Sequence, residues 1–286
     1  MQPTAANTRA AGLDKFYTRS DIARQCIREI ADWHQWSLVV EPSAGNGSFL
    51  ANIPVANTIG LDIAPEHPEV LRTDFFAYVP PPPAILGRVL VIGNPPFGKG
   101  GSLAIRFFNH AATFAHTIAF IVPRTFRRIS VQNKLCMAFR LASDTELPVR
   151  PCCFEPPMLA KCCFQIWQKC PADLPRQPVI LSTVHADWTF LPFGPLDDKK
   201  QPTPPANADF AIRAYGGRCG EIRVANLQTL RPKSWHWIQA RRPVADLLAV
   251  FGQLDYSVSR DTARQNSIGR AEVGQLYAAF VAANLK

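Results

Sequence analysis

The sequence predicts an α/β fold in which a mostly parallel sheet is covered by helices on both faces, and three observations predict it. Four short apolar runs recur: SLVVE (37–41), TIGLDI (58–63), RVLVIGN (88–94) and TIAFIVP (117–123). The segments between them are polar or helix-compatible, the alternation that builds parallel strands with crossover helices. The first run passes directly into a glycine-containing loop, EPSAGNGSFL (41–50), and then into an expected helix start. In an open α/β sheet a ligand sits at this carboxyl edge.

The elements follow in order. Residues 1–14 are expected to be a flexible N-terminus. The opening stretch MQPTAANTRAAGLDKFYT has no apolar segment behind a basic start, so it does not read as a secretory signal, and a cytoplasmic location is expected, or a nuclear one for a eukaryotic or viral chain. DIARQCIREIADW (21–33) sets Ile22, Cys26, Ile27, Ile30 and Trp33 on one helical stripe behind the caps Ser20 and Asp21. PVRPCCFEPP (148–157) and AKCCFQIWQK (160–169) are expected to be antiparallel strands at the end of the sheet.

Beyond Lys169 the composition changes. CPADLPRQP (170–178) and LPFGPLDDKKQPTPPANAD (191–209) are rich in proline and turn formers, which marks linkers or long loops. Residues 15–170 therefore form the expected main domain and 171–286 a small C-terminal α+β region. Within it FAIRAYGGRCGEIRV (210–224) reads as a strand, a Gly-Gly turn and a returning strand, and RAEVGQLYAAFVAANL (270–285) as a closing helix.

No stretch approaches the ~20 apolar residues of a membrane-spanning helix. The net charge of +9 over 286 residues favours a polyanionic partner such as nucleic acid. The eight cysteines, at 26, 136, 152, 153, 162, 163, 170 and 219, are expected to be reduced thiols. Adjacent cysteines on a strand point to opposite faces and lack C-x-x-C spacing, so no metal is expected.

The loops carry the chemistry. Gly45 and Gly47 let the backbone turn sharply and approach a ligand, and nearby amides with a helix N-terminus favour an anionic group. Asp62, ending the second run, stands where an acidic side chain takes up ribose hydroxyls. In RTDFF (72–76), Asp74 can accept from an exocyclic amine and Phe75 or Phe76 can pack on a purine. The three loops together describe an adenosine pocket.

In VIGNPPFGKG (91–100), Pro95 and Pro96 fix their own backbone angles and hold Asn94 in extended geometry. Phe97 can stack on a base that has left its helix, and Lys99 can touch phosphate. IVPRTFRR (121–128) brings Arg124, Arg127 and Arg128 to the same edge, as phosphate contacts or as a solvated loop. SWHWIQARR (234–242) suits either base stacking with phosphate contact or a tryptophan core with arginine at its rim, and Arg264, Asn266 and Arg270 either approach nucleic acid or cap the last helix.

In this order, EPSAGNGSFL, LDI, TDFF and GNPPF resemble the S-adenosylmethionine-dependent adenine-N6 methyltransferases that carry an NPPF motif, with the γ-type order: cofactor loop first, catalytic loop next, target recognition last. The resemblance covers residues 15 to 170, and DKFYTRSDIA resembles the family's N-terminal cofactor motif through Phe16, Tyr17 and Thr18. It implies a Rossmann-like, seven-stranded, mostly parallel sheet with an antiparallel last strand. It also implies S-adenosylmethionine held by Thr18, Glu41, Ala44, Gly45, Asn46, Gly47, Asp62, Ile63, Asp74 and Phe75. Asn94, Pro95, Pro96 and Phe97 would be catalytic, acting on a flipped-out adenine in nucleic acid, DNA before RNA. Residues 171–286 then hold the position of a target-recognition or substrate-binding region. A protein glutamine-amide substrate and a catalytically silent nucleic-acid-binding subunit stay open as alternatives.

Adenine's exocyclic nitrogen is a poor nucleophile because its lone pair is delocalised into the ring. Two acceptors, the Asn94 side-chain oxygen and the Pro95 carbonyl, can take its two hydrogens and draw it towards tetrahedral geometry. Proline has no N–H, so the loop offers carbonyls without competing donors.

Overall fold

In the computed structural model, which describes residues 15–81 and 87–284, the chain divides into two units, Met1–Pro178 and Val179–Lys286. The expected flexible N-terminus, 1–14, lies outside the described residues.

Among the described residues the first unit has nine strands: β1 (Tyr17–Thr18), β2 (Trp36–Glu41), β3 (Thr58–Asp62), β4 (Val70–Arg72), β5 (Arg88–Gly93), β6 (Thr117–Pro123), β7 (Phe139–Glu146), β8 (Phe154–Glu155) and β9 (Cys162–Lys169). Seven of them form one sheet in the order β4-β3-β2-β5-β6-β9-β7. The strands from β4 through β6 pair in parallel, while β9 runs antiparallel to both β6 and β7. This is the Rossmann-like α/β sheet, with the unit's last strand, β9, inserted antiparallel next to the edge.

Because both faces are covered, the central strands are apolar without alternation. All seven residues of β6 are buried. Val40, Val91 and Ile118 face one side with Ala104, Phe107, Phe108 and Ala111 of helix α2 (Ser102–Ala111). Val39, Leu90 and Ile92 face the other with Ile22, Ala23, Cys26 and Ile27 of helix α1 (Ser20–Arg28).

Three sequence expectations need correction. The first helix stops at Arg28, and Asp32 turns left-handed before a 3₁₀ turn at Trp33–Gln35. No α-helix follows the glycine loop, because Pro54 forces Ile53 into extended geometry; the space holds only turns and a 3₁₀ helix, Leu50–Asn52. PVRPCCFEPP does not join the large sheet, since β8 pairs with β1 instead. Its expected place is taken by the edge strand β7, FRLASDTE, whose mostly polar residues carry no apolar alternation.

In the second unit, β10 (Trp188–Phe190), β11 (Phe210–Arg213), β12 (Ile222–Arg223) and β13 (Trp235–Ala240) form an antiparallel sheet in the order β10-β13-β11-β12. Trp188, Phe210, Ile212 and Ile238 pack against Leu247 and Phe251 of helix α4 (Val244–Phe251) and Val273 and Tyr277 of helix α5 (Arg270–Asn284). Trp235 and Trp237 face the other side with Leu191 and Ala211. The buried Trp237 donates its indole N–H to the Pro232 carbonyl at 3.2 Å, so the tryptophans of SWHWIQARR are core while Arg241 and Arg242 are exposed. No helix among the described residues is long and apolar enough to cross a membrane.

Candidate active site

Strand order reverses at β2, which lies between β3 on one side and β5 on the other. In open α/β sheets the crevice beyond the carboxyl ends at such a reversal receives the ligand. Here the flanking loops are the one after Glu41 and the one after Gly93.

The two loops lie close together because of glycine. Gly93 has φ +153°, a conformation other residues rarely adopt, and a Cβ there would meet Glu41 Cγ at 3.3 Å. Asn94 follows immediately. Its Nδ2 donates to the Phe16 carbonyl at 3.3 Å, and Ser43 Oγ donates to its main-chain oxygen at 3.0 Å. Its side-chain oxygen is buried and has no hydrogen-bond partner among the described residues. An unsatisfied buried acceptor costs about 1–3 kcal/mol, so it marks a place reserved for a donor.

A cleft of about 240 Å³, open to solvent, is lined by Thr18, Glu41, Ala44, Asn46 and Asn94 together with Phe16, Tyr17, Ser43, Ser48 and Phe49. The hydroxyl of Thr18 is a second buried polar group without a partner among the described residues. Glu41 is fully buried, and its Oε2 accepts from the Leu50 amide at 2.9 Å. Burial pushes its carboxyl up to about 8; the Asp62 charge adds to this, against the Leu50 and Phe49 amides.

Of the other predicted cofactor residues, Gly45, Gly47, Asp62, Ile63 and Asp74 do not line this cleft, whereas Asn46 does. Gly45 (φ +50°) lies under the Tyr17 ring, where a Cβ would come within 2.6 Å of the ring. Gly47 lies under the His67 side chain. Asp62 accepts from the Gly45 amide at 2.9 Å through one carboxylate oxygen and from the Ala64 amide at 2.8 Å through the other. Each oxygen keeps a lone pair for further donors. Ile63 beside it is 54% exposed, a flat apolar surface. Asp74 caps a 3₁₀ turn through Oδ1, which accepts from the Phe76 amide, and is exposed. Asn46 holds the Ser48 amide and hydroxyl and is exposed.

Two expectations are overturned here. Phe75 is 1% exposed and stacks on Phe107 at 5.2 Å, so core packing uses the ring and leaves no face for a purine. Arg124 and Arg127 are not free for phosphate: Arg124 pairs with Glu146 at 2.5 Å, and Arg127 grips Asp144 and reaches Glu146. The carboxylates of β7 neutralise them, and Gln165 ties Asp144 to Trp167. Arg128 is half-buried at the N-cap of the short helix α3 (Ile129–Gln132).

In the loop after β5, Pro95 is buried and Pro96 half-buried. Phe97 is half-buried, edge-on to Phe154 at 6.2 Å, and its carbonyl receives the Leu103 amide at the start of α2. Lys99 is exposed. Site residues that sequence reasoning passed over are Gly93 and Ser43, whose only signal is their position next to Asn94 and Glu41.

No protein-family model matches the chain, and no curated protein sequence matches it significantly. Three solved structures are similar to part of it. One is a candidate RNA methyltransferase from Pyrococcus horikoshii, 14% identical over 59% of this chain and 92% of that one, TM-score 0.42. Another is a candidate class I S-adenosylmethionine-dependent methyltransferase from Listeria monocytogenes, 13% identical over 57% of this chain and 64% of that one, TM-score 0.41. The third is the 23S rRNA methyltransferase ErmE, 15% identical over 59% of this chain and 73% of that one, TM-score 0.40.

Proposed function

We propose that this chain transfers a methyl group from S-adenosylmethionine to the N6 amine of an adenine in nucleic acid, with DNA as the first substrate. The observation that carries the reading is the unpartnered, buried Asn94 side-chain oxygen, held on a proline-stiffened loop at the reversal of strand order.

The residues present fit the cofactor. Thr18 offers an unpartnered hydroxyl, Asp62 keeps lone pairs for a ribose diol, Ile63 offers an apolar surface for a base, and Asp74 keeps Oδ2 for an amine. Glu41, Ala44 and Asn46 line the adjoining cleft. When bound, the cofactor supplies an electrophilic methyl group on a sulfonium.

Asn94 and Pro95 act on the nucleophile. The Asn94 oxygen and the Pro95 carbonyl accept the two N–H bonds of the adenine amine, turn its lone pair out of the ring and leave it free to attack carbon. The surplus proton on nitrogen departs to solvent. Phe97 stacks the extruded base.

The test is incubation with a tritiated methyl donor and, in parallel, duplex DNA, single-stranded DNA, total RNA and protein extract, followed by identification of the labelled product. N6-methyladenine in nucleic acid is the expected result. Label in RNA alone would move the substrate, and label in glutamine alone would overturn the reading.

A further inference from the structure

The net charge of +9 needs an outlet, and Arg124 and Arg127, after β6, do not provide one, being paired with Asp144 and Glu146. A different cluster stands out in the second unit. Three arginines share one carboxylate: Arg213 at 3.2 Å, Arg218 at 3.5 Å and Arg223 at 2.8 Å from Glu221. Gathering three like charges on one counter-charge is unfavourable for folding alone and leaves a surplus of positive charge on the surface.

The three guanidiniums are not equivalent. Arg213 is built in: it lies over the Trp235 ring at 5.6 Å, and its Nε donates to the Tyr215 carbonyl at 3.1 Å. It thereby fixes the backbone of Tyr215, whose side chain is 49% exposed. Arg218 and Arg223 have side chains 69% and 51% exposed, with guanidinium donors facing solvent.

A second loop joins them. Tyr215 bridges to Ser267, and the Gly216 amide donates to the Asn266 carbonyl at 3.0 Å, which ties the segment carrying the exposed Arg264 to the Tyr215–Gly216 backbone. Between Tyr215 and Arg218, positions 216 and 217 are glycines with open space where side chains would be, so another backbone can approach closely.

We infer that the face formed by Tyr215, Arg218, Arg223 and Arg264 binds single-stranded nucleic acid, with phosphates on the guanidiniums and an unstacked base on the tyrosine ring. An exposed aromatic beside fixed positive charge suits a single strand, because bases inside a duplex do not offer their faces. The inference rests on the proposed reading in that nucleic acid is the methyl acceptor.

The test measures fluorescence anisotropy of labelled single-stranded DNA, single-stranded RNA and the matching duplex, titrated with the full chain over a range of salt. The wild type is expected to bind single strands more tightly than duplex. Arg218→Ala with Arg223→Ala should weaken binding about tenfold or more at low salt and flatten the log K against log salt slope by about 1.4, from about 0.7 per phosphate. The double lysine variant should keep most of the slope. Tyr215→Ala should lose about tenfold in affinity at unchanged slope. Unchanged binding and slope in the alanine variant, or a preference for duplex with Tyr215→Ala neutral, would overturn the inference; so would a wild type that binds no oligonucleotide. Calorimetry with S-adenosylmethionine on the same preparations separates the two readings. Cofactor binding and methyl transfer with indifferent arginine variants sinks this surface alone; arginine-dependent binding without methyl transfer sinks the enzyme alone.

Discussion

Asn94 donates from its side-chain nitrogen to the carbonyl of Phe16, at 3.3 Å, while its side-chain oxygen is buried with no donor among the described residues. The donor end is satisfied and the acceptor end is kept open. A substitution here should therefore separate stability from activity.

Asn94→Ala removes one hydrogen bond and one unsatisfied acceptor, terms of opposite sign, so the thermal midpoint should move little. If Asn94 acts as proposed, turnover should fall about 10²-fold or more with cofactor affinity nearly kept, because the lost contact would form at the reacting nitrogen. Calorimetric binding and single-turnover methylation on the same protein check both halves; near-normal turnover would refute the role.

Gly93→Ala should damage the same site through the backbone. A φ of +153° strains any other residue, at about 1–3 kcal/mol, and the new methyl would meet Glu41 Cγ at 3.3 Å. Chemical denaturation should register that loss together with a fall in activity. Equal stability and activity would mean the loop relaxes freely.

Glu41 predicts a pH dependence. Below about 4.5 the carboxyl is protonated in both the folded and unfolded chain; between 4.5 and about 8 the fold keeps a proton that the unfolded chain releases. Stability should therefore fall as pH rises through that window, by up to roughly 1.4 kcal/mol per unit, and level off above it. Glu41→Gln keeps an acceptor for the Leu50 amide and should remove this component. Denaturation curves of both proteins from pH 4 to 9 give the difference directly; parallel curves would show that Glu41 ionises normally.

Arg127 tests the correction made to the basic loop. Its pairing with Asp144 and Glu146 is intramolecular and only partly exposed, so Arg127→Ala should cost about 2 kcal/mol in stability. The salt dependence of oligonucleotide binding should stay as in the wild type. A reduced slope would return this residue to the nucleic-acid surface.

Much of this was legible in the residues themselves. The four apolar runs became β2, β3, β5 and β6, because a strand buried on both faces is apolar throughout and needs no partner to be recognised. Asn-Pro-Pro was readable because proline restricts its own geometry and that of its neighbour wherever it stands. The edge strand β7 was not, since its polar residues report only that one side is wet. Phe75 was misread for the complementary reason: an aromatic after Asp74 serves a ligand or a core equally well, and the position of Phe107 decides between them.

What the chain specifies locally, then, is the alternation that makes a parallel sheet, the stiffness of the NPPF loop and the turns at Gly45 and Gly47. Those are properties of a residue and its immediate neighbours. Which groups end up free was settled by contacts far apart in the chain. Phe16 orients Asn94 across 78 positions, Asp144 and Glu146 neutralise the arginines beside β6, and Glu221 collects Arg213, Arg218 and Arg223 on an exposed face. Hydrogen bonds and ion pairs depend on distance in space, so the partner of a polar group is fixed only when the sheet has brought the loops together.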